Sequence, residues 1–479
     1  MRLRSSARAA AAPVLTAALA AAVAAGCGGG GGDAAETAAP ATTTAPAPAP
    51  EGPPVAVTVV DGDTGAPVAG AAVEALRGGA VVARAETDGE GRAEVPLGTA
   101  AVTAEAAPYD TARARVRRGA AEVELYDPRL QSPEYGGGSS RRRYVPGVEV
   151  PPPRGGPAWT FESRTLIEFP PAVRDGLVVF GTNSGRVYAL RADDGELAWA
   201  RRQKGEIAST PAIDGGSVYV SSMDGALTAY GAGAGVPLWR FSTGGSPIES
   251  SPLVVDGLVY VGTWAGSLSA VDAATGKQRW RYQAPDDIKG SAALASGLIV
   301  VGDYSGNVHA LDPATGAERW TYTGGTRFYG GPAVSGDTIV IGDVGGAVIA
   351  LEARTGAERW RHSTGGSYVY STPAIADGAA YVGSYNGTFQ ALELDDGSVR
   401  WSFDVGGRIS GSATVVDGVV YTARLYAPGQ ARRTYGLDVR TGAVRFEGDD
   451  GRYSPAVGAG RTLYLIGTRH VYAHPAPAR

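Results

Sequence analysis

Trp159, Trp199, Trp239, Trp280, Trp320, Trp360 and Trp401 recur about every 40 residues, and Phe446 takes the next place after a slightly longer interval. A fixed period of roughly 20–50 residues marks a chain of repeated supersecondary units, each burying its face on its neighbours. Every unit here reads alike. One copy runs Ser251-Pro252-Leu253-Val254-Val255, turns at Asp256-Gly257, and continues as Leu258-Val259-Tyr260-Val261-Gly262. A tip follows at Trp264-Ala265-Gly266, then Leu268-Ser269-Ala270-Val271-Asp272, a Thr275-Gly276 turn, and Arg279-Trp280-Arg281-Tyr282. These are four β-rich runs joined by tight turns, which is one propeller blade. First strands begin near Pro171, Pro211, Pro252, Ala292, Pro332, Pro373, Ala413 and Pro455, which makes eight blades. The last unit lacks an outer strand, and Trp159-Thr160-Phe161 has no blade before it. Joined, they close the ring and leave no raw edge. The reading is an all-β, eight-bladed propeller over 158–479 with N-terminal strand closure. Removing the chain through Pro153 should then leave it intact, whereas removal through Phe161 should open it.

The spacing of Ala270, Asp272, Thr275, Gly276 and Trp280 resembles the tryptophan-docking motif of quinoprotein-type propellers. It recurs as Ala310, Asp312, Thr315, Gly316, Trp320 and as Ala350, Thr355, Gly356, Trp360. Shorter copies are Ala189, Gly195, Trp199; Ala229, Gly235, Trp239; and Ala391, Gly397, Trp401. Gly436, Asp438, Thr441, Gly442 and Phe446 depart at both ends. The resemblance implies that each Trp packs on a Gly-containing peptide of the neighbouring blade. Physical chemistry agrees: a flat ring needs a residue without a side chain beneath it, and its N–H needs an acceptor.

At 479 residues the chain exceeds the roughly 250–300 residues of one core. Its sole cysteine, Cys27, follows Arg2, Arg4 and Arg8, an Ala-rich apolar stretch, and Ala24-Ala25-Gly26. This layout is that of a secretory signal and resembles a bacterial lipoprotein signal, although Ala24 stands where Leu is usual. The resemblance implies a signal peptide over 1–26, lipidation of Cys27, and an exported protein held on the extracytoplasmic face of a membrane. Residues 27–54, rich in Gly, Ala, Thr and Pro, form a tether. Residues 55–126 resemble a carboxypeptidase regulatory-like (transthyretin-like) β-sandwich through Thr64-Gly65, Pro67-Val68, Gly70-Ala71, Val73, Thr87-Asp88-Gly89 and Gly91. Residues 127–157, with Arg141-Arg142-Arg143 and Pro151-Pro152-Pro153, read as a solvated Pro/Gly/Arg linker.

The net charge of −5 provides no field for nucleic acid. Quinoprotein dehydrogenases, as a family, hold pyrroloquinoline quinone under two adjacent cysteines, with calcium and a catalytic Asp. No cysteine lies in this propeller, and His309, His362, His470 and His474 have no metal-ligand spacing. No catalytic residue, cofactor or metal is assigned. In pattern the chain is more similar to noncatalytic propellers, such as the outer-membrane assembly lipoprotein family and the sensor propellers of bacterial kinases. That similarity implies a protein-interaction scaffold or sensor; a carbohydrate or wall-polymer binder is the alternative, and a quinone-dependent dehydrogenase the least favoured.

Variation concentrates on one face. An apolar residue precedes each first strand: Ile167, Ile207, Ile248, Ile288, Phe328, Val369 and Ile409. The residue after it varies (Glu168, Ala208, Glu249, Lys289, Tyr329, Tyr370, Ser410 and, by alignment, Arg452) and alternation points it to the channel mouth. Hairpin tips add Trp264, Tyr304 and Tyr385, and an insertion in blade seven adds Arg424, Arg432 and Arg433. This is the candidate binding rim, since aromatic and Arg side chains dominate interfaces.

Overall fold

The protein is described by a computed structural model covering residues 52–425, 429 and 431–477. The signal segment, Cys27 and most of the tether lie outside the described residues. Eight four-stranded antiparallel sheets form the propeller, seven of them built from consecutive strands. Blades 1 to 8 begin with the inner strands Ala172–Arg174, Ala212–Asp214, Leu253–Val255, Ala293–Ala295, Ala333–Ser335, Ala374–Ala376, Thr414–Val416 and Ala456–Ala459. In the eighth sheet Trp159–Glu162 pairs antiparallel with His470–Pro475, in the register Trp159 to Ala473 and Glu162 to His470. The ring is thus closed by the two ends of the propeller chain.

Six of the eight inner hairpins turn through two residues with positive φ, as at Asp256 (47°) and Gly257 (74°), and the turns of blades 5 and 8 have one, Gly336 and Gly460. That geometry matches the right-handed strand twist and favours Asp-Gly. Blades are joined by two sets of bonds. On the outside, the indole N–H groups of Trp159, Trp199, Trp239, Trp280, Trp320, Trp360 and Trp401 each donate to a carbonyl of the next blade at 2.6–3.1 Å. Beneath each ring lies Gly195, Gly235, Gly276, Gly316, Gly356, Gly397 or Gly442, where a Cβ would meet the indole at 2.5–2.8 Å. Phe446 packs instead against Tyr421, with centroids 6.0 Å apart. Around the channel, backbone N–H groups donate to a hydroxyl of the next blade: Thr210 to Ser251 Oγ, Ser251 to Ser291 Oγ, Gly331 to Thr372 Oγ1, Thr372 to Ser412 Oγ, and Ser412 to Ser454 Oγ, at 2.9–3.2 Å.

The N-terminal β-sandwich has a three-stranded sheet (Arg92–Val95, Val55–Asp61, Ala120–Leu125) and a four-stranded sheet (Ala80–Glu86, Ala72–Arg77, Ala101–Glu105, Ala112–Arg115). Alternation buries Val55, Val57 and Val59 against Val73, Ala75, Val102 and Ala104. It sits on the Asp-Gly-turn face of the propeller, by blades 8 and 1. Asp110 pairs with Arg174 at 2.8 Å, Tyr126 lies under Gly176, and Asp63 lies against Gly460.

The segment 127–157 is not solvated throughout: its part up to Val150 is largely buried, and 151–157 remains exposed or half-exposed. Residues 130–145 enter the channel from the Asp-Gly-turn face and close it as a plug. An inner strand has an unpaired edge facing the channel, and the plug supplies acceptors around it. The N–H groups of Val173, Ile213, Leu294, Val334, Ile375 and Val415 donate to the carbonyls of Ser132, Pro133, Ser139, Ser140, Arg142 and Arg143 at 2.7–2.9 Å. Val254 donates to Glu134 Oε2 at 3.2 Å. Blade 8 contributes the Gly460 N–H, bound to the Leu130 carbonyl at 2.8 Å. Arg141 and Arg143 are fully buried rather than solvated. Both adopt left-handed φ of 54°, which non-glycine residues keep only where their surroundings enforce it. Arg141 is enforced by bonds to the carbonyls of Tyr135 (2.6 Å), Ala292 (2.9 Å) and Pro252 (2.8 Å).

Candidate functional site: the open channel mouth

The channel remains open at the end opposite the plug. Its mouth is a funnel lined by Glu168, Glu249, Lys289, Tyr329, Tyr370 and Tyr453 and floored by Tyr135 of the plug. The Tyr135 hydroxyl is fixed by Ser412 Oγ at 2.8 Å. Glycine and serine at the strand starts, such as Gly290, Ser291, Gly330 and Ser410, keep the throat wide.

One side of the mouth is aromatic. Lys289 Nζ lies 4.0 Å from the Trp264 ring centroid, 4.5 Å from Tyr304 and 5.9 Å from Tyr329. The two oxygens of Glu249 are taken by the Tyr329 hydroxyl (2.5 Å) and the Trp264 indole N–H (3.0 Å). This places one lysine inside an aromatic cage that one carboxylate braces. From there a chain of rings crosses blades 4 to 6: Tyr304 to Tyr329 at 6.2 Å, Tyr329 to Tyr370 at 5.0 Å, and Tyr370 to Tyr385 at 4.9 Å. Tyr368 joins Tyr370 and Tyr385 at 5.4 and 5.8 Å, and Arg408 stands 5.5 Å over Tyr385. Burial, then the charge of Glu249, pushes the Tyr329 phenol far above its ordinary range, and burial raises Tyr304 and Tyr370 too. These phenols are therefore hydrogen-bond donors throughout the physiological range.

The other side is sparser. Glu168 is desolvated, and burial followed by repulsion from Glu249 raises its pKa against the pull of Arg452. Arg452 lies 5.0 Å over the Tyr453 ring, with a buried Nε that has no hydrogen-bond partner.

The mouth thus brings together Glu168, Glu249, Lys289, Tyr329 and Tyr370, with Trp264, Tyr304 and Tyr385 around its lip and Arg452 behind Glu168. The blade-seven arginines stay outside it. Arg424 is bound to the Ala431 carbonyl (2.7 Å) and the Val405 carbonyl (3.2 Å). Arg433 pairs with Glu447 at 2.9 Å, and Arg432 stands 3.7 Å from Asp450. Sequence reasoning passed over Tyr368, Arg408 and Tyr453. Tyr368 and Arg408 each precede an apolar packing residue, so strand alternation places them on the same side as the residue that follows it. The signal for both was present.

The comparisons with known proteins agree with this architecture. A family profile described as outer membrane protein assembly factor BamB matches residues 148–306 and 304–452. The chain belongs to the BamB family. A curated BamB of Shewanella oneidensis is 38% identical over 68 residues, which are 14% of this chain and 17% of that protein. The BamB crystal structure from Moraxella catarrhalis superposes with a TM-score of 0.57 at 18% identity, covering 66% of this chain and 98% of that one. The same propeller recurs in the quinohemoprotein alcohol dehydrogenase of Comamonas testosteroni, with a TM-score of 0.60 at 16% identity over 73% of this chain and 81% of that one. In the mouth Glu249 is spent on Tyr329 and Trp264, and the sole cysteine of the chain, Cys27, lies outside the propeller.

Proposed function

We propose that this BamB-family propeller is a noncatalytic scaffold, tethered through Cys27 to the extracytoplasmic face of a membrane, that binds a protein partner across its open mouth. One observation carries the reading: the chain's own sandwich and plug occupy one face, and the face left free bears the continuous Trp264–Tyr385 aromatic crescent. Tyr and Trp give large contact area at low entropic cost and dominate interface energetics. Tyr368 is 46% exposed and Trp264 is 36% exposed, so the crescent offers apolar surface before any partner arrives. Lys289, Glu168 and Arg408 supply charge for orientation.

The test compares wild type with Tyr368→Ala/Tyr385→Ala in crosslinked capture from envelope extract, beside a glycan array. Each aromatic hot spot is worth about 1–2 kcal/mol or more. The double variant should therefore lose a defined protein partner by at least about tenfold while keeping the wild-type melting temperature. Undiminished capture, or saturable glycan binding that the same variant abolishes, would refute the protein-scaffold reading.

A further inference from the structure

The core of the plug holds two guanidinium groups and one carboxylate. Arg141 and Arg143 are 0% and 2% exposed. Glu134 stands 3.4 Å from Arg141 Nη1 and provides its counter-charge. Arg143 has none: among the described residues no carboxylate lies within ion-pair distance of it, and the Tyr135 ring is its one electrostatic neighbour. Its Nε donates to the Ala413 carbonyl, and Nη2 donates to Thr414 Oγ1 at 2.7 Å. The Tyr135 ring lies 4.8 Å beneath Cζ. Nη1 is buried and makes no hydrogen bond of proper geometry, the Tyr135 side chain being the one polar neighbour that supports the guanidinium charge.

A guanidinium cannot shed its proton to escape burial. Neutral carbonyls and a ring face lessen the cost of its desolvation but provide no counter-charge, and a buried charge left uncompensated is the expensive case. Beside Arg143 lies a small cavity, of about 20 Å³, between the plug and blades 7, 8 and 1. Its walls include Ser132, Tyr135, Val145, Thr414 and Val457, and also Glu134, whose carboxylate is paired with Arg141. The space is narrow and of mixed lining, so it suits a monatomic ion and excludes a bulkier polyatomic one.

We infer that this cavity binds a monatomic anion, a halide, on Arg143 Nη1, as the counter-charge that completes the plug. The ion neutralises the second guanidinium, gives Nη1 an acceptor, and fills the gap where the plug meets blade 8. Because the plug holds the inner edges of the blades, halide binding stabilises the whole ring by mass action. The site lies beneath the open mouth and shares Tyr135 with it.

The test uses the full chain. Melting temperature is measured in sodium chloride, sodium bromide and sodium gluconate at matched ionic strength, the last anion being too bulky to enter. Crystals grown in bromide are examined for anomalous scattering. The expected result is a saturable halide stabilisation of roughly 2–5 °C over gluconate, its loss in Arg143→Met, and a bromide peak beside Nη1. Where Arg143→Met fails to fold, the wild-type titration and the bromide map decide. Equal melting temperatures in chloride and gluconate would overturn the proposal, as would a water without anomalous signal at Nη1. A bromide peak without a thermal response would mean binding at crystal concentration only, and would overturn it too.

Discussion

Each docked tryptophan asks two things of the next blade: an acceptor for its indole N–H and a surface without a Cβ. Gly316 meets the second demand with φ of +72° and the Trp280 ring where a Cβ would stand 2.6 Å away. Gly297 has φ of +79° but nothing within 4 Å. Gly297→Ala should therefore cost only the left-handed backbone penalty, about 1–2 kcal/mol. Gly316→Ala adds a clash with a packed ring and should cost about 3–5 kcal/mol, read from urea midpoints of the two variants. His309 gives a second residue-scale prediction. It is buried between Asp303 (Nε2, 3.2 Å) and Glu318 (Nδ1, 2.8 Å), with the Tyr282 hydroxyl 3.0 Å from Nδ1. Burial disfavours its charge, but the bonds to the two carboxylates outweigh burial and hold its pKa above the ordinary value. A raised histidine contributes stability that is complete below its unfolded pKa of about 6.5 and lost as pH rises through the folded value. Melting temperature should fall over that window in wild type and stay flatter in His309→Gln.

At the scale of elements, the plug is the least anticipated part of the molecule. Its bonds go from inner-strand N–H groups to its own main-chain carbonyls, so they leave little imprint on side-chain choice. A Pro/Gly/Arg composition that reads as a spacer is compatible with that role because such a segment can bend through left-handed positions such as Gly136 and Gly137, both at 82°. The expectation that truncation through Pro153 spares the propeller is therefore withdrawn. Deleting residues 53–125 should leave melting and monodispersity nearly unchanged, since the plug stays in place. Deleting 53–150 uncaps seven inner strands, each bond worth about 1 kcal/mol, and should lower the melting temperature by about 10 °C or more with aggregation on size exclusion. Equal behaviour of the two truncations would show that the plug contributes nothing.

At the scale of the whole molecule, the two faces differ in what is already bound. The sandwich and the plug take the Asp-Gly-turn face; the mouth face carries the aromatic crescent and faces away from them. A photo-crosslinking residue at Tyr368 should then give a partner adduct in envelope extract, whereas the same residue at exposed Asp256 on the opposite face should not. Among the described residues no helix is long and apolar enough to cross a membrane. Membrane attachment is proposed through Cys27, and Cys27→Ser should move the protein from the membrane pellet to the soluble fraction.

The sequence by itself determined the blade count, the closure by Trp159–Glu162 and the face on which variation gathers. All three follow from local periodicity: a 40-residue repeat of turns and alternating strands leaves one way to bury every inner face. It also placed Glu168, Glu249, Lys289, Tyr329 and Tyr370 at the channel mouth, because strand alternation fixes the side to which each points. The tertiary structure decided what periodicity cannot encode. Glu249 is committed to Trp264 and Tyr329 across blades, the blade-seven arginines are spent on local partners, and the Arg141–Arg143 run lies inside the ring. Those outcomes depend on which groups from distant strands converge, and on main-chain acceptors that every residue type provides alike.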